Sequence, residues 1–234
     1  MAKQKLSRPP ENKDTEVTRL FKADFHIHTK YSMDCSTSLE QIIRTCLKKG
    51  INCIAIADHG AIEGALQMQK IAPFTVIVAE EVLTDRGEIM GMFLKELVPS
   101  GLSLEETIQR IKRQGGLLCA QHPFDRFRKD ALKADTMNEI ADQLDLVEVF
   151  NARNPLLQSS QLARKFAEEH RLPGCAGSDA HSHYEIGNAY VEMPEFKDKE
   201  EFLAALSRGK IYGHRANPFS HFASMWSKIK KRAI

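Results

Sequence analysis

Between residues 21 and 82 the chain reads FKADFHI (21–27), SLEQIIRTCLKKG (38–50), INCIAIAD (51–58), AIEGALQMQKI (61–71) and FTVIVAEEV (74–82). The first, third and fifth segments are short apolar runs suited to buried strands. The second and fourth space their apolar residues at helical intervals. This is a β-α-β-α-β rhythm, and it continues. EIMGMFL (88–94) reads as a strand, SLEETIQRIKRQGG (103–116) as a helix closed by glycines, and GLLCAQHP (116–123) and DLVEVFN (145–151) as strands. PLLQSSQLARKFAEEH (155–170) reads as a helix with Pro155 in its first turn, followed by the strand LPGCAGSD (172–179) and the helix KEEFLAALSRGK (199–210). Such alternation predicts an α/β fold whose largely parallel sheet is rolled into a barrel.

Outside this core, residues 1–18 are polar and carry a Pro9-Pro10 pair, which predicts a loose N-terminal arm. Residues 19–234 are expected to form one barrel domain. It ends in an amphipathic helix, PFSHFASMWSKIKKRAI (218–234), that packs Phe219, Phe222 and Trp226.

With 33 basic and 31 acidic side chains the net charge is only +2, so no global field drives the chain onto nucleic acid. Five cysteines without a CxxC pair fit reduced thiols better than a disulfide framework. No stretch approaches the roughly 18 apolar residues of a membrane span, and no signal peptide is evident. These features predict a cytoplasmic protein with no membrane partner. They leave the oligomeric state open.

Nearly every strand ends in a histidine or an acid: His26 and His28, Asp58 and His59, Glu80 and Glu81, His122, Asn151, Asp179 and His181. In a parallel barrel the C-terminal strand ends converge on one mouth, so these groups become neighbours in space. In the HIH triplet the two imidazoles lie at i and i+2, on one face of an extended strand, and can grip one ion; Asp179 and His181 repeat that spacing. Buried ionisable groups are costly unless paired or bound to metal, so the pattern predicts a polynuclear metal site. Strand alternation allows only one of Glu80 and Glu81 to face the site, and the sequence does not say which.

The motifs HIHTKYSMD (26–34), IADHG (56–60), AEE (79–81), QHP (121–123) and GSDAH (177–181) stand in the order and context of the polymerase-and-histidinol-phosphatase (PHP) family, which the chain resembles from about Leu20 to Tyr212. The resemblance implies a distorted (β/α)7 barrel and two or three divalent metal ions, Mn, Zn or Fe. It also implies ligand roles: His26, His28, Glu81 and Asp179 for one ion, Glu81 and His122 for a second, and Asp34, His59 and His181 for a third. Asn151 stands where relatives offer a further ligand, and a neutral amide is a weak one.

A site of this kind activates water and clamps phosphoryl oxygens. The chain is therefore expected to hydrolyse a phosphate ester of a small metabolite, a nucleotide or an oligonucleotide end. Asp179, His181 and His183 are the candidate catalytic residues, with His183 a general acid for the leaving oxygen. Among Arg126, Arg128 and Arg153, the pair Arg126 and Arg153 is favoured for clamping the substrate phosphate. Nucleophile-elbow, P-loop and dinucleotide-binding patterns are absent, so water is the expected nucleophile. The alternative is a non-catalytic metal-binding or polymerase-associated PHP module.

Overall fold

The computed structural model of the chain describes residues 19–216; the N-terminal arm and the C-terminal helix predicted from the sequence lie outside them. The strands are β1 (Leu20–Ile27), β2 (Cys53–His59), β3 (Thr75–Thr84), β4 (Gly87–Met92), β5 (Leu117–Ala120), β6 (Leu146–Asn151), β7 (Gly174–Gly177), β8 (Ala189–Pro194) and β9 (Lys210–Gly213). The helices are α1 (Leu39–Lys49), α2 (Glu63–Ile71), α3 (Leu104–Arg113), α4 (Ala134–Glu139), α5 (Leu157–Glu169) and α6 (Lys199–Leu206).

One sheet holds all nine strands in the order β7-β6-β5-β4-β3-β2-β1-β8-β9. It curls until β7 meets β1. Just past β7, Ala180 bridges Ile27 in parallel, with His28 N donating to Ala180 O at 3.0 Å and Ala180 N to His26 O at 3.3 Å. Gly177 permits this closure. A Cβ there would lie against His26 Cβ, and 2.8 Å from both the His26 amide nitrogen and Glu148 Oε1.

The barrel is not uniformly parallel. Strands β1, β2, β3, β5, β6 and β7 share one direction, whereas β4 pairs antiparallel with both β3 and β5. Only Asp85 and Arg86 separate β3 from β4, far too few residues for a crossover, so the chain makes a hairpin. The sequence reading also missed β8 and β9, an antiparallel hairpin outside β1 that brackets α6.

Two apolar layers result. The outer faces of the strands pack Ile54, Ile56, Val76, Val78 and Val147 against Ile42 of α1, Met68 of α2, Ile108 of α3 and Phe166 of α5. The barrel interior is filled by small and flexible side chains, among them Ala23, Ala55, Ala57, Ala79, Met90 and Met92. At the end where the strands begin, Phe202 of α6 packs edge-on to Phe25 at 5.4 Å. Alternation then dictates that His59 and Glu81, which are register partners, extend the interior face of β2 and β3 at the opposite end.

Candidate metal centre

Five strand ends deliver the site. Glu81 lies at its middle: Oε1 is 2.9 Å from His122 Nε2 and 3.3 Å from His26 Nε2, and Oε2 is 3.3 Å from His28 Nε2 and 3.4 Å from His59 Nε2. Asp179 Oδ1 is 3.3 Å from His28 Nε2 and 3.8 Å from His26 Nε2. Beyond them, Asp34 Oδ2 is 2.9 Å from His181 Nε2 and 3.5 Å from His59 Nε2. All of these side chains are buried, apart from a partly exposed His59. Glu80 points the other way and accepts a hydrogen bond from Val98 N at 3.0 Å, which settles the choice between the two neighbouring glutamates.

Three of the imidazoles have a fixed tautomer. His26 Nδ1 is 3.1 Å from Glu148 Oε1, and His59 Nδ1 is 3.1 Å from Glu88 Oε1. His181 Nδ1 is 2.9 Å from the Asp179 carbonyl, which can only accept. In the neutral form of each ring the proton belongs on Nδ1, and Nε2 is turned into the cluster, the arrangement that orients metal-binding histidines. Glu148 and Glu88 escaped the sequence reading. Glu148 carried a signal there, a lone acid between apolar neighbours in LVEVF (146–150).

The electrostatics call for added positive charge. Burial opposes a charged His26, but the carboxylates of Glu81, Asp179 and Glu148 outweigh it and hold its pKa well above the ordinary histidine value. Burial likewise opposes a charged His59, and Glu81, Asp34 and Glu88 raise it well above normal. His28 is pushed down to about 4 by burial and by the neighbouring His181. Burial works against ionised Glu81 and Asp179 too. Their cationic neighbours overcome it, His26 and His59 for Glu81 and Arg128 and His26 for Asp179, so both carboxyls stay far below their usual range.

Divalent cations fit this donor set. Glu81 Oε2 and Asp179 Oδ1 are buried and make no hydrogen bond, although histidine nitrogens surround both. Donor atoms of His28, Asp34, His59 and His181 come within 4.8 Å of one another, as do those of His26, His28 and Glu81, and those of His59, Glu81 and Glu88. Mixed imidazole and carboxylate sets of this kind suit Mn, Fe and Zn. His122 and Asp179 also hold positive φ angles, 32° and 53°. Non-glycine residues seldom adopt them, and such strain concentrates at functional sites.

Other predicted residues fall into different places. Asn151 donates through Nδ2 to Glu148 Oε2 at 2.9 Å and to Asp179 Oδ2 at 3.2 Å, while its Oδ1 accepts from Arg153 N at 2.9 Å. The amide is therefore a brace between two carboxylates. Asp58 holds Thr29 through its amide and hydroxyl, both at 2.6 Å, and so fixes the turn after the HIH triplet. Asp24 accepts from Ser178 N and Gly187 N, each at 2.8 Å, and burial lifts its pKa to about 6. Among the arginines, Arg153 is buried and lines the cleft above the cluster, and Arg128 lines it too, with its guanidinium on the Asp179 carboxylate. Arg126 is exposed and His183 packs at a tilt against Tyr184, with ring centres 3.9 Å apart; neither lines the cleft.

That cleft has a volume of about 1400 Å³ among the described residues, with Asp34, His59, Glu81 and His181 on its floor. A family profile described as PHP-associated matches residues 158–211. An uncharacterized protein of Methanocaldococcus jannaschii is 34% identical over 196 residues, which cover 79% of this chain and 78% of that one. A second from the same organism is 44% identical over 144 residues, 56% of this chain and 82% of the other. A two-domain protein from Bacteroides vulgatus containing a predicted PHP-like metal-dependent phosphoesterase superposes with a TM-score of 0.68 at 15% identity, over 97% of this chain and 74% of that one.

The chain belongs to the PHP family.

The PHP barrel here also resembles the lesion-specific endonuclease PfuEndoQ of Pyrococcus furiosus, with a TM-score of 0.62 and 19% identity over 82% of this chain and 58% of that one. At such identities the likeness speaks for the fold. No helix among the described residues is long and apolar enough to cross a membrane.

Proposed function

We propose that this PHP protein is a metal-dependent phosphoesterase that hydrolyses a phosphate ester of a small metabolite, a nucleotide or an oligonucleotide end, with water as the nucleophile. The observation that carries this reading is the row of strand-end ligands around Glu81, whose buried Oε2 has histidine nitrogens on two sides and no hydrogen bond, directly below a cleft walled by Arg128 and Arg153.

His26, His28, Glu81 and Asp179 would hold one divalent ion, Glu81 and His122 a second, and Asp34, His59 and His181 a third; Mn, Zn and Fe all suit these donors. When bound, such ions lower the pKa of water and neutralise charge on a phosphoryl group. The rest is the work of the side chains. Glu148, Glu88 and the Asp179 carbonyl hold the Nδ1 proton of His26, His59 and His181, so that Nε2 is the atom each ring would offer to a cation. Arg153, with Arg128 once its guanidinium leaves Asp179, offers paired N–H donors to the non-bridging oxygens. The sequence choice of Arg126 gives way to Arg128 because only the latter lines the cleft. Five buried free cysteines agree with a reducing, cytoplasmic location.

The test is phosphate release by the purified full-length protein, with metal content measured in parallel. Chelated and Mn2+-supplied protein would be compared on mononucleotides, sugar phosphates and short oligonucleotides. Release that depends on added metal and disappears in His26→Ala and Asp179→Ala supports the proposal. Protein that binds metal and cleaves no ester is instead a non-catalytic metal-binding module.

A further inference from the structure

The loop between β5 and α4 carries FDRFRKD (124–130), and its Phe127 is 71% exposed on the wall of the cleft. What distinguishes this ring from other exposed apolar side chains is its place on a cleft wall, where its face is open to an entering ligand. The ring is not on a slack tip. Asp125 Oδ1 accepts from Phe127 N at 2.9 Å, an Asx turn that fixes the backbone. Ser159 Oγ of α5 donates to Phe124 O at 3.0 Å, and Glu88 N of β4 donates to Asp130 O at 2.6 Å, so both shoulders of the loop are tied down.

The next residue, Arg128, sends its guanidinium to Asp179 at the metal centre. Consecutive Cα atoms are ~3.8 Å apart, so one short strip of backbone presents a cation to the floor and a bare ring to the wall. Met33, Leu83 and Leu156 line the same cleft and give it apolar wall besides the ring. The cleft thus presents guanidinium donors near its floor and an exposed ring on its wall. Sugar phosphates and aliphatic phosphate esters bring C–H contacts but do not offer a phenyl face a flat π-surface. A nucleobase does, through stacking that tolerates any base.

We infer that Phe127 is a base-stacking platform, so that the substrate is a nucleotide unit rather than a sugar or aliphatic phosphate. This rests on the phosphoesterase reading above. The shared chemistry, phosphate plus base, occurs in a free mononucleotide and at the end of an oligonucleotide.

The experiment uses the full-length protein with Mn2+ and four probes: adenosine 5′-monophosphate, adenosine 3′-monophosphate, a 5′-phosphorylated dinucleotide and ribose 5-phosphate. Wild-type protein is expected to favour one of the adenosine compounds over ribose 5-phosphate in kcat/KM. Phe127→Ala should shrink that preference on the order of ten-fold, mainly through KM, and Phe127→Trp should restore it. Calorimetric binding of adenosine 5′-monophosphate should weaken in parallel in Phe127→Ala. A preference for ribose 5-phosphate, or the same discrimination in wild type and Phe127→Ala, would overturn the inference. So would a lower Tm in Phe127→Ala with unchanged nucleotide binding, since the protein itself would then cover the ring. If no probe is hydrolysed the phosphoesterase reading fails separately, and the calorimetric comparison still decides whether Phe127 contacts a base.

Discussion

Glu148 Oε1 lies 3.1 Å from His26 Nδ1 across 122 residues of sequence, and its Oε2 accepts from His122 N at 2.7 Å and from Asn151 Nδ2 at 2.9 Å. One buried carboxylate thus sets the ring of a β1 residue, pins the strained backbone after β5 and steadies the amide that braces Asp179.

Glu148→Gln separates these duties. Its carbonyl can replace Oε2, but its NH2 then faces His26 Nδ1, and the ring must shift its proton to Nε2 to accept that bond. Metal affinity should fall 10- to 100-fold with the fold kept. Competition with a chelator gives the affinity, and long-range 15N NMR of the His26 ring gives the tautomer. An unchanged Nδ1–H signal with unchanged affinity would refute the role. Glu148→Ala, which strands several buried donors, should cost at least about 3 kcal/mol in stability.

Gly177→Ala should open the barrel. The new methyl would meet His26 Cβ and the His26 amide, which are backbone or tightly held, so β7 must retreat from β1. Overpacking of this kind costs about 1–3 kcal/mol, and here it also moves Asp179 away from His26 and His28. A lower Tm together with lost metal is expected. Normal metal content at wild-type stability would show that the closure tolerates a side chain.

Metal-free protein should lose stability as pH rises above about 6.5. His26 and His59 have raised pKa values in the fold, so the stabilisation their protonation provides is fully present below the unfolded value and vanishes as pH climbs through the folded one. His28 and His181, lowered in the fold, are neutral in both states above that point and do not offset the trend. Bound cations supply the missing charge and should flatten the slope, and metal affinity should itself increase over the same range. Thermal melts at several pH values, with chelator and with Mn2+, test both signs.

Arg128→Ala is expected to act in two directions. It removes the guanidinium that competes for the Asp179 carboxylate, so metal should bind more tightly. It also removes a donor for phosphate, so kcat/KM should fall on the order of ten-fold or more. Calorimetric metal titration and steady-state kinetics on the same preparation check the pair. Weaker metal binding in this variant would assign Arg128 a structural role at the site.

Much of the site could be read locally. HIH, the His59 and Glu81 termini and GSDAH each end a strand whose apolar run is plain, and alternation carries His59 and Glu81 inward. At HIH a register break in β1 between Asp24 and Ile27 is needed as well, because Ala23 and Phe25 face the interior and strict alternation would turn His26 and His28 out. Other features depended on partners far away in the chain. Glu80 and Glu81 are adjacent, and only the pairing of β3 with β2 decides that Glu81 shares a face with His59. Arg126 and Arg128 are equally basic, and only the ion pair with the distant Asp179 brings Arg128 over the metal centre while Arg126 stays exposed. The reading of a largely parallel sheet left the direction of β4 open, although Asp85-Arg86-Gly87 marks a turn between two successive strands.

The sequence by itself determined the alternating elements, the interior and exterior faces of most strands, and the kinds of donor at the barrel mouth, because these follow from residue periods of 2 and 3.6 and from the cost of burying charge. Tertiary structure alone decided which donors share an ion-sized space, which nitrogen of each imidazole is free, and which arginine enters the cleft. Those depend on the shear and closure of the sheet. Closure brings Gly177 against His26 and Glu148 beneath His122, contacts that no local pattern encodes.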